Sequence, residues 1–226
     1  MIQQTLESNR FKAQMRESLI SATKDSNGIK VAKHDNVYAV GDKRETVYFI
    51  ESGQIKLMMV SDAGRECMLA LHASGDVFGE LCLSGLDGRL ETATAMEDSC
   101  LKEIPCSKFL GRLGQDSLLE GFVKYLTVRV ADQQQIIANL VTVDSEHRLG
   151  ETLLQLARQF GKKDPRSIRI ELKISHEELA AMVGAPPLRI GVFMQRFHNL
   201  GLIESSTEHH LIIKEHKLTA YLASIA

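Results

Sequence analysis

Residues 175–204 read SHEELAAMVGAPPLRIGVFMQRFHNLGLIE and describe two helices joined by a tight turn. Ser175, followed three residues later by Glu178, is a capping box, in which each side chain bonds the main-chain amide of the other residue. Gly184 is placed to end the first helix. Pro187 suits the first turn of the second helix, where main-chain amides lack intrahelical partners. The stretch therefore predicts a helix-turn-helix.

The segments on both sides of this motif extend it into a larger domain. The run LIESSTEHHLIIKE at 202–215 is typical of a β-hairpin, and IRIELKI at 168–174 predicts a short strand. Asp144 is placed to cap a further helix that begins SEHRLGETLLQLARQ. Helix, turn, helix and hairpin form the layout of a winged helix-turn-helix, a DNA-binding motif. A generic two-helix hairpin is the alternative.

The region from about Ile29 to Pro105 has a different pattern. Its segments VYAVGD, TVYFIESGQIKLMMVSDAGRECMLALHASGDVFGE and ETATAMEDSCLKEIP are rich in β-branched and aromatic residues. Turn signals divide the region every ~8–12 residues, a spacing that predicts an antiparallel barrel or jelly roll.

A helical repeat separates these two regions. From Leu119 to Leu140, apolar residues recur at alternating steps of four and three, with Gln133 as the polar break. This period predicts a helix packed against a partner helix, and a helix lying on its own barrel is the alternative. The predicted dimer interface, called the seam below, consists of Leu119, Val123, Leu126, Val130, Gln133, Ile137 and Leu140.

Length and composition limit the class of protein. A chain of 226 residues is long enough for two domains or for one large domain, and its formal net charge of −2 does not by itself indicate a nucleic-acid binder. No run approaches the roughly 18–20 apolar residues of a membrane span. The N-terminus lacks the apolar core of a secretory signal. A cytoplasmic protein without membrane contact is expected.

The spacing of the cysteines does not indicate a disulfide framework. Cys67, Cys82, Cys100 and Cys106 show no CxxC spacing, which argues against both a disulfide framework and a zinc site. Reduced thiols are therefore expected. A redox pair of Cys82 and Cys100 is the alternative to simple packing of thiols within strands.

The whole pattern resembles the CRP/FNR superfamily of transcription regulators. The resemblance covers residue 29 to the C-terminus and rests on GDVFGELCL (75–83), VDSEHRLGETLLQLA (143–157), SHEELAAMVG (175–184) and RIGVFMQRFHNLGLIE (189–204). It implies an α+β fold with an N-terminal antiparallel β-roll (jelly-roll-like), a long dimerisation helix and a C-terminal winged helix-turn-helix domain.

The domain boundaries expected from this resemblance divide the chain into four parts. Residues 1–28 form a helical or irregular N-terminal segment, and residues 29–112 form the effector-binding β-roll. Residues 113–143 form the dimerisation helix, and residues 144–226 form the DNA-binding domain.

The resemblance also points to an effector pocket with a departure from the family pattern. In cyclic-nucleotide-binding members, a motif opening Gly-Glu-Leu ends in Arg-Ser/Thr-Ala; the Glu accepts from a ribose hydroxyl and the Arg pairs with the phosphate. Gly79 and Glu80 match, but Glu91 falls at the arginine position. A carboxylate repels a phosphate, which needs a cation in a low-dielectric pocket. Control by cyclic AMP is therefore not expected, and Arg89 is the alternative cation.

Other effectors of the family can be compared with the sequence. Residues aligned with the adenine-contacting hydroxyls are Gln133 and Gln134. An oxygen-sensing iron–sulfur cluster needs N-terminal cysteines, and none precedes Cys67. A haem would need an axial ligand such as His72 or Cys67, so no cofactor and no metal is predicted. The predicted effector-pocket residues are Gly79, Glu80, Leu81, Arg89, Glu91, Thr92, Gln133 and Gln134.

The second helix of the motif offers few side chains that read bases. Arg189 and Gln195 supply direct readout, while His176, Arg196 and wing residues His209 and His210 contact phosphates. Such sparse hydrogen bonding predicts an AT-rich or shape-read operator, or weak specific binding. The predicted DNA-binding residues are Ser175, His176, Pro187, Leu188, Arg189, Val192, Gln195 and Arg196.

The predicted function is a homodimeric transcription regulator on a palindromic operator. Its expected partners are double-stranded DNA, a second copy of the chain, RNA polymerase and an unidentified small-molecule effector. The alternative is an effector-binding or protein-interaction module of the same fold that has lost specific DNA recognition. An enzyme is not predicted, since His176 begins an HExxH-like run that has Ala180 at the second histidine position.

Overall fold

The computed structural model describes residues 11–19, 28–115, 118–206 and 210–225. The chain divides into two compact units, whose boundary lies between Asp132 and Gln133. Across the described residues, no helix has the length and apolar character needed to cross a membrane.

The first unit contains two four-stranded antiparallel sheets, which confirms the predicted β-roll. One sheet has the strand order β1 (Ile29–Val31), β8 (Ser99–Pro105), β3 (Thr46–Ser52) and β6 (Val77–Phe78). The other has the order β2 (Asn36–Tyr38), β7 (Thr92–Ala95), β4 (Gln54–Val60) and β5 (Glu66–Ala73). Burial alternates along β7, as in a half-buried strand, whereas the four consecutive β3 residues 47–50 are all buried.

Two apolar clusters stabilise this unit. The first consists of strand residues, with Tyr38, Tyr48 and Phe78 among its largest members. The second joins helix α1, described over residues 11–19, to α2 (Cys106–Gln115) and the start of α3 (Leu119–Thr142). Phe122 of α3 meets Phe109 of α2 edge to face, with ring centroids 5.3 Å apart. The first turns of α3 therefore pack on the β-roll unit itself.

The seam on α3 is largely exposed in the single chain. Leu126 is half-buried and packs against the second apolar cluster. The other apolar members of the seam are about half exposed or more, namely Leu119, Val123, Val130, Ile137 and Leu140. Burial of Phe122 and exposure of its neighbour Val123 show that α3 has one face toward its own domain and another that is uncovered.

The second unit confirms the predicted winged helix-turn-helix. It contains α4 (Ser145–Phe160), α5 (His176–Val183), α6 (Pro187–Asn199) and α7 (Glu215–Ser224). Its antiparallel sheet has the order β11 (Ile203–Ser205), β12 (Leu211–Ile213), β10 (Ser167–Ile170) and β9 (Gly161–Asp164). The predicted caps are present, because Asp144 accepts from the main-chain N–H of His147 and the Ser175–Glu178 capping box is complete.

The cysteines correct two sequence-based expectations. A disulfide joins Cys82 to Cys106, so these two residues are not the reduced thiols that the spacing predicted. Cys100 is not the partner of Cys82; its Sγ donates to Glu51 Oε2 at 3.3 Å. The fold brings Cys82 and Cys106 together across 24 residues of sequence, a distance over which spacing motifs give no signal.

Candidate functional site

The effector cassette, defined here as residues 79–92, begins with a left-handed glycine. Gly79 follows β6 with φ of 79° and precedes a 3₁₀ turn, Glu80–Ser84. A Cβ at this position would lie 3.0 Å from Nη1 of Arg89 and 3.2 Å from the main-chain oxygen of Thr46. Glycine is therefore required both by the backbone angle and by the close approach of Arg89.

Arg89 lies inside the cassette. Its Nη1 donates to the main-chain oxygen of Gly79 at 2.6 Å, and its Nη2 donates to the main-chain oxygen of Thr46. The guanidinium stacks on Tyr38, with 4.3 Å between its central carbon and the ring centroid. Only 5% of Arg89 is exposed. The cation is thus held by carbonyls and an aromatic face, which are neutral groups.

Glu91 lies beside the same tyrosine and is 1% exposed. The Tyr38 hydroxyl donates to Glu91 Oε1 at 2.8 Å, whereas Glu91 Oε2 has no hydrogen-bond partner among the described residues. Burial raises the pKa of Tyr38 well above its ordinary value, and the neighbouring Glu91 raises it further. Tyr38 therefore remains a hydrogen-bond donor. A buried carboxylate oxygen without a donor favours a ligand that donates a hydrogen bond.

Glu80 is paired with a residue that the sequence did not indicate. Nη1 of Arg129, on α3, lies 2.5 Å from Glu80 Oε1, and both side chains are mostly buried. The family pattern would use this glutamate to bind a ribose hydroxyl. In this structure the ion pair occupies one of its two oxygens. Arg129 was missed because it lies 49 residues away and outside the seam, so no local pattern marks it.

A buried polar cluster continues from this ion pair. Asp76 is 4% exposed, and its Oδ1 lies 2.6 Å from Nζ of Lys12. His72 is also buried, with Nδ1 3.9 Å from Asp76 Oδ2. Burial and, next, the positive charge of Arg129 lower the pKa of His72 from 6.5 to about 4, although Asp76 and Glu80 oppose the shift. His72 is therefore neutral at pH 7.

The remaining predicted pocket residues lie in more open positions. Leu81 is 43% exposed, so its side chain is not part of the buried cluster. The Thr92 hydroxyl accepts from the main-chain N–H of Val40 at 3.3 Å. Gln133 and Gln134 are exposed on α3. Within the described part of the chain, no group of three His, Cys, Asp or Glu side chains is arranged to hold a metal ion.

The helix-turn-helix presents an exposed and mainly apolar surface at the start of α6. Leu188 is 83% exposed, and Val192 is also exposed. Pro187 and Arg189 are exposed beside them, and Gln195 donates from Nε2 to Asn199 Oδ1 at 3.0 Å. Apolar side chains can contact a thymine methyl but give no bidentate hydrogen bond. Few groups on this helix are therefore available to read bases directly.

The N-terminus of α5 offers main-chain donors beside this surface. Ser175 and Glu178 satisfy two of its amides through the capping box, and His176 is exposed in the first turn. Gly184 ends the helix in a left-handed conformation, with φ of 68°. This turn fixes the approach of α5 to α6. Of the two predicted wing histidines, His210 donates its main-chain N–H to the Ser206 hydroxyl, and His209 lies outside the described residues.

Arg196 forms an ion pair within its own domain, and its predicted phosphate contact stays a prediction. Its Nη1 lies 2.6 Å from Glu146 Oε2. The other oxygen of Glu146 accepts from the Tyr221 hydroxyl at 2.6 Å. Glu146 is buried, so this network ties α6 to α4 and α7. Sequence patterns missed it because the three residues lie far apart along the chain.

Two family models match the chain. Residues 29–116 match the cyclic nucleotide-binding domain, and residues 147–221 match the Crp-like helix-turn-helix domain. The global nitrogen regulator of Synechocystis sp. is 34% identical over 154 residues, which cover 66% of this chain and 68% of that relative. The chain belongs to the CRP/FNR family of transcription regulators.

Further similarities to CRP/FNR regulators cover more of the chain. The cAMP-activated global transcriptional regulator Vfr of Pseudomonas aeruginosa is 30% identical over 178 residues, covering 76% of this chain and 82% of the relative. A solved CooA variant from Carboxydothermus hydrogenoformans has 25% sequence identity and a TM-score of 0.75, covering 89% of this chain and 90% of that one. These similarities and the helix-turn-helix domain show a DNA-binding transcription regulator of this family, and its relatives are regulators rather than enzymes.

The Glu80–Arg129 ion pair predicts a stability effect. Arg129→Gln leaves the carboxylate of Glu80 mostly buried and unpaired, so the free energy of unfolding should fall by about 2 to 3 kcal/mol, less than for fully buried pairs. Lys124→Gln is the matched control, since Lys124 pairs with exposed Glu120 on the same helix and should cost under about 0.5 kcal/mol. Urea unfolding followed by circular dichroism measures both, because the chain has no tryptophan. Equal losses of unfolding free energy in the two variants would contradict the assignment of Glu80 and Arg129 as a mostly buried ion pair.

The depressed pKa of His72 predicts a pH dependence of stability. The unfolded chain binds a proton at this residue below pH 6.5, whereas the folded chain stays neutral down to about pH 4. As the pH falls from 6.5 to 4, the free energy of unfolding should therefore decrease by about 3 kcal/mol through His72 alone. His72→Gln should remove that loss, and the difference in unfolding free energy between wild type and variant, measured from pH 7 to pH 4, isolates it. A difference that does not change with pH would refute the prediction.

Proposed function

We propose that this regulator acts as a homodimer on a palindromic operator and is not controlled by cyclic AMP. The observation that supports the dimer is the uncovered seam on α3. Five apolar side chains are about half exposed or more, namely Leu119, Val123, Val130, Ile137 and Leu140. Their alternating spacing matches the contact positions of paired helices. A second copy of the chain, related by a two-fold axis, would cover the same surface on both partners.

A two-fold dimer also explains the proposed form of the operator. Two copies of α6 related by such an axis would contact two half-sites in opposite orientation, and the DNA sequence would mirror that symmetry. As a transcription regulator, the dimer would contact RNA polymerase in the cytoplasm. Operator DNA and RNA polymerase are both proposed partners.

The cassette supports a response that does not use a cyclic phosphate. Arg89 is the nearest candidate cation, but its guanidinium is bound to the carbonyls of Gly79 and Thr46. To pair its Nη groups with a phosphate, Arg89 would have to give up both of these hydrogen bonds, and its Nε is buried. The buried carboxylate of Glu91 would then face the phosphate, and such like-charge contact costs several kcal/mol, roughly. The free Oε2 of Glu91 suits an effector that is neutral or cationic and donates a hydrogen bond.

The reading of DNA is proposed to depend on few direct contacts. Arg189 is the exposed cation at the start of α6, and Leu188 and Val192 suit contact with thymine methyl groups. Phosphate contacts fall to His176 and to the N-terminus of α5. Arg196 contributes less, since Glu146 already binds it. An AT-rich operator that is read partly by its shape fits this surface.

One observation favours a second function. The exposed apolar start of α6, above all Leu188, also suits contact with a protein. In that case the chain would be an effector-binding or protein-interaction module that has lost specific DNA recognition. Sequencing of the genomic fragments that the purified full chain retains separates the two functions. Enrichment of a shared palindrome supports the regulator, and retention without sequence preference supports the module.

The dimer is tested by placing a charge on the seam. Ile137→Asp puts two carboxylates into the proposed interface, so the chain should become monomeric. Affinity for an enriched operator should then fall by roughly 100-fold, since both half-sites are no longer held together. Gln135→Asp is the matched control, because Gln135 lies two residues away on the opposite face of α3.

Analytical ultracentrifugation and fluorescence anisotropy measure these two effects. The wild type and Gln135→Asp should sediment as dimers and bind the operator alike. A monomeric wild type, or a dimeric Ile137→Asp variant, would show that the seam is not the interface.

The effector proposal is tested by calorimetry with cyclic AMP, cyclic GMP and cyclic di-GMP. Loss of the cation and gain of Glu91 should weaken phosphate binding by several kcal/mol, roughly, so no dissociation constant tighter than about 1 mM is expected. The Pseudomonas aeruginosa relative, whose name describes it as cAMP-activated, is the positive control. Micromolar or tighter binding of cyclic AMP to this chain would overturn the proposal.

A further inference from the structure

The Cys82–Cys106 disulfide joins the effector cassette to a neighbouring helix. Cys82 lies in the 3₁₀ turn Glu80–Ser84, two residues after the glutamate that binds Arg129. Cys106 is the first residue of α2. The covalent bond therefore fixes the turn that carries Glu80 to the part of the domain that packs against α3.

Few other interactions hold this turn in place. The main-chain N–H of Cys82 donates to the oxygen of Gly79 at 3.3 Å, which is long for such a bond. The Ser84 hydroxyl donates to the main-chain oxygen of Leu81 within the turn itself. No residue of the turn is fully buried, although Cys82 and Leu83 pack against the second apolar cluster. The disulfide is accordingly a main restraint on the position of Glu80.

We propose that Cys82 and Cys106 form a reversible thiol–disulfide switch, oxidised by hydroperoxides or by low-molecular-weight disulfides and reduced by dithiols. Cys82 is half-buried and Cys106 is 8% exposed, so Cys82 is the sulfur that meets a reagent first. The second thiol is already positioned to complete the bond.

The chemistry balances with either class of oxidant. With a hydroperoxide, the Cys82 thiolate attacks the terminal peroxide oxygen, the O–O bond breaks, and an alcohol and a sulfenic acid form. The Cys106 sulfur then attacks Cys82, the S–O bond breaks, and water leaves. Two thiols and one hydroperoxide thus give one disulfide, one alcohol and one water. A low-molecular-weight disulfide instead accepts the two electrons and both protons and becomes two thiols.

Reduction runs in the opposite direction and frees the turn. A dithiol attacks Cys82, forms a mixed disulfide, and closes its own disulfide as both protein thiols are released. Among the described residues, the turn then keeps its packing, its long main-chain bond, the Ser84 hydroxyl bond and the Glu80–Arg129 ion pair. Because Arg129 lies on α3, a change in the redox state of Cys82 alters how the turn at Glu80 contacts the helix that bears the seam. Control of DNA affinity by this route rests on the proposed homodimer.

The first experiment identifies the bond and its mechanical effect without DNA. The full chain is equilibrated with oxidised or reduced dithiothreitol, blocked with a maleimide and mapped by mass spectrometry. A linked Cys82–Cys106 peptide is expected only in the oxidised sample, with Cys67 and Cys100 labelled in both. Amide hydrogen exchange should be at least fivefold faster in the reduced sample over residues 80–84. Absence of the linked peptide, or equal exchange in the two states, overturns the proposal.

The second experiment measures DNA affinity in the two redox states. Operator affinity of the wild type should differ at least threefold between oxidised and reduced protein. Cys82→Ser and Cys106→Ala should each abolish the difference, whereas Cys67→Ser, which removes an exposed thiol outside the cassette, should retain it. Equal affinity in both wild-type states overturns the coupling to DNA. If the wild type binds no operator in either state, the proposed function fails, and the exchange measurement alone decides the switch.

Discussion

The burial of Arg89 on two main-chain carbonyls is the constraint on which the cassette depends. Gly79 must lack a side chain so that the guanidinium can reach its oxygen and that of Thr46. The guanidinium also stacks on Tyr38, whose hydroxyl donates a hydrogen bond to Glu91. A positive and a negative side chain are thus both buried around one aromatic ring. An incoming anion that paired with Nη1 or Nη2 of Arg89 would have to disrupt that arrangement first.

Local sequence signals predicted the elements but not their long-range partners. The Ser175 capping box and the Asp144 cap each depend on residues within a few positions, and the structure contains both, whereas the strand predicted over 168–174 ends at Ile170. The partners of Glu80 and Cys82 depend on chain folding across 49 and 24 residues. No periodic pattern reports such a distance.

Helix α3 links the two proposed properties of the first unit. Its inner face places Phe122 in the apolar cluster and Arg129 on Glu80, while its outer face leaves Val123 and Val130 uncovered. Because an α-helix has about 3.6 residues per turn, neighbours in sequence lie about 100° apart around its axis and can face different surroundings. A change at Glu80 therefore acts on the same stretch of α3 that bears Val123 and Val130.

The backbone of this domain follows its family, whereas the side chains that line the cassette depart from the family pattern. The match to the cyclic nucleotide-binding domain spans residues 29–116 and so includes the turn at Gly79. Binding specificity, however, is a difference in free energy between ligands, and it depends on the polar groups that line the turn. Here a buried carboxylate oxygen at Glu91 remains without a donor among the described residues, and the arginine beside it is already bound. In the proposed function, such a site would disfavour a phosphate and favour a hydrogen-bond donor, while the fold around it stays the same.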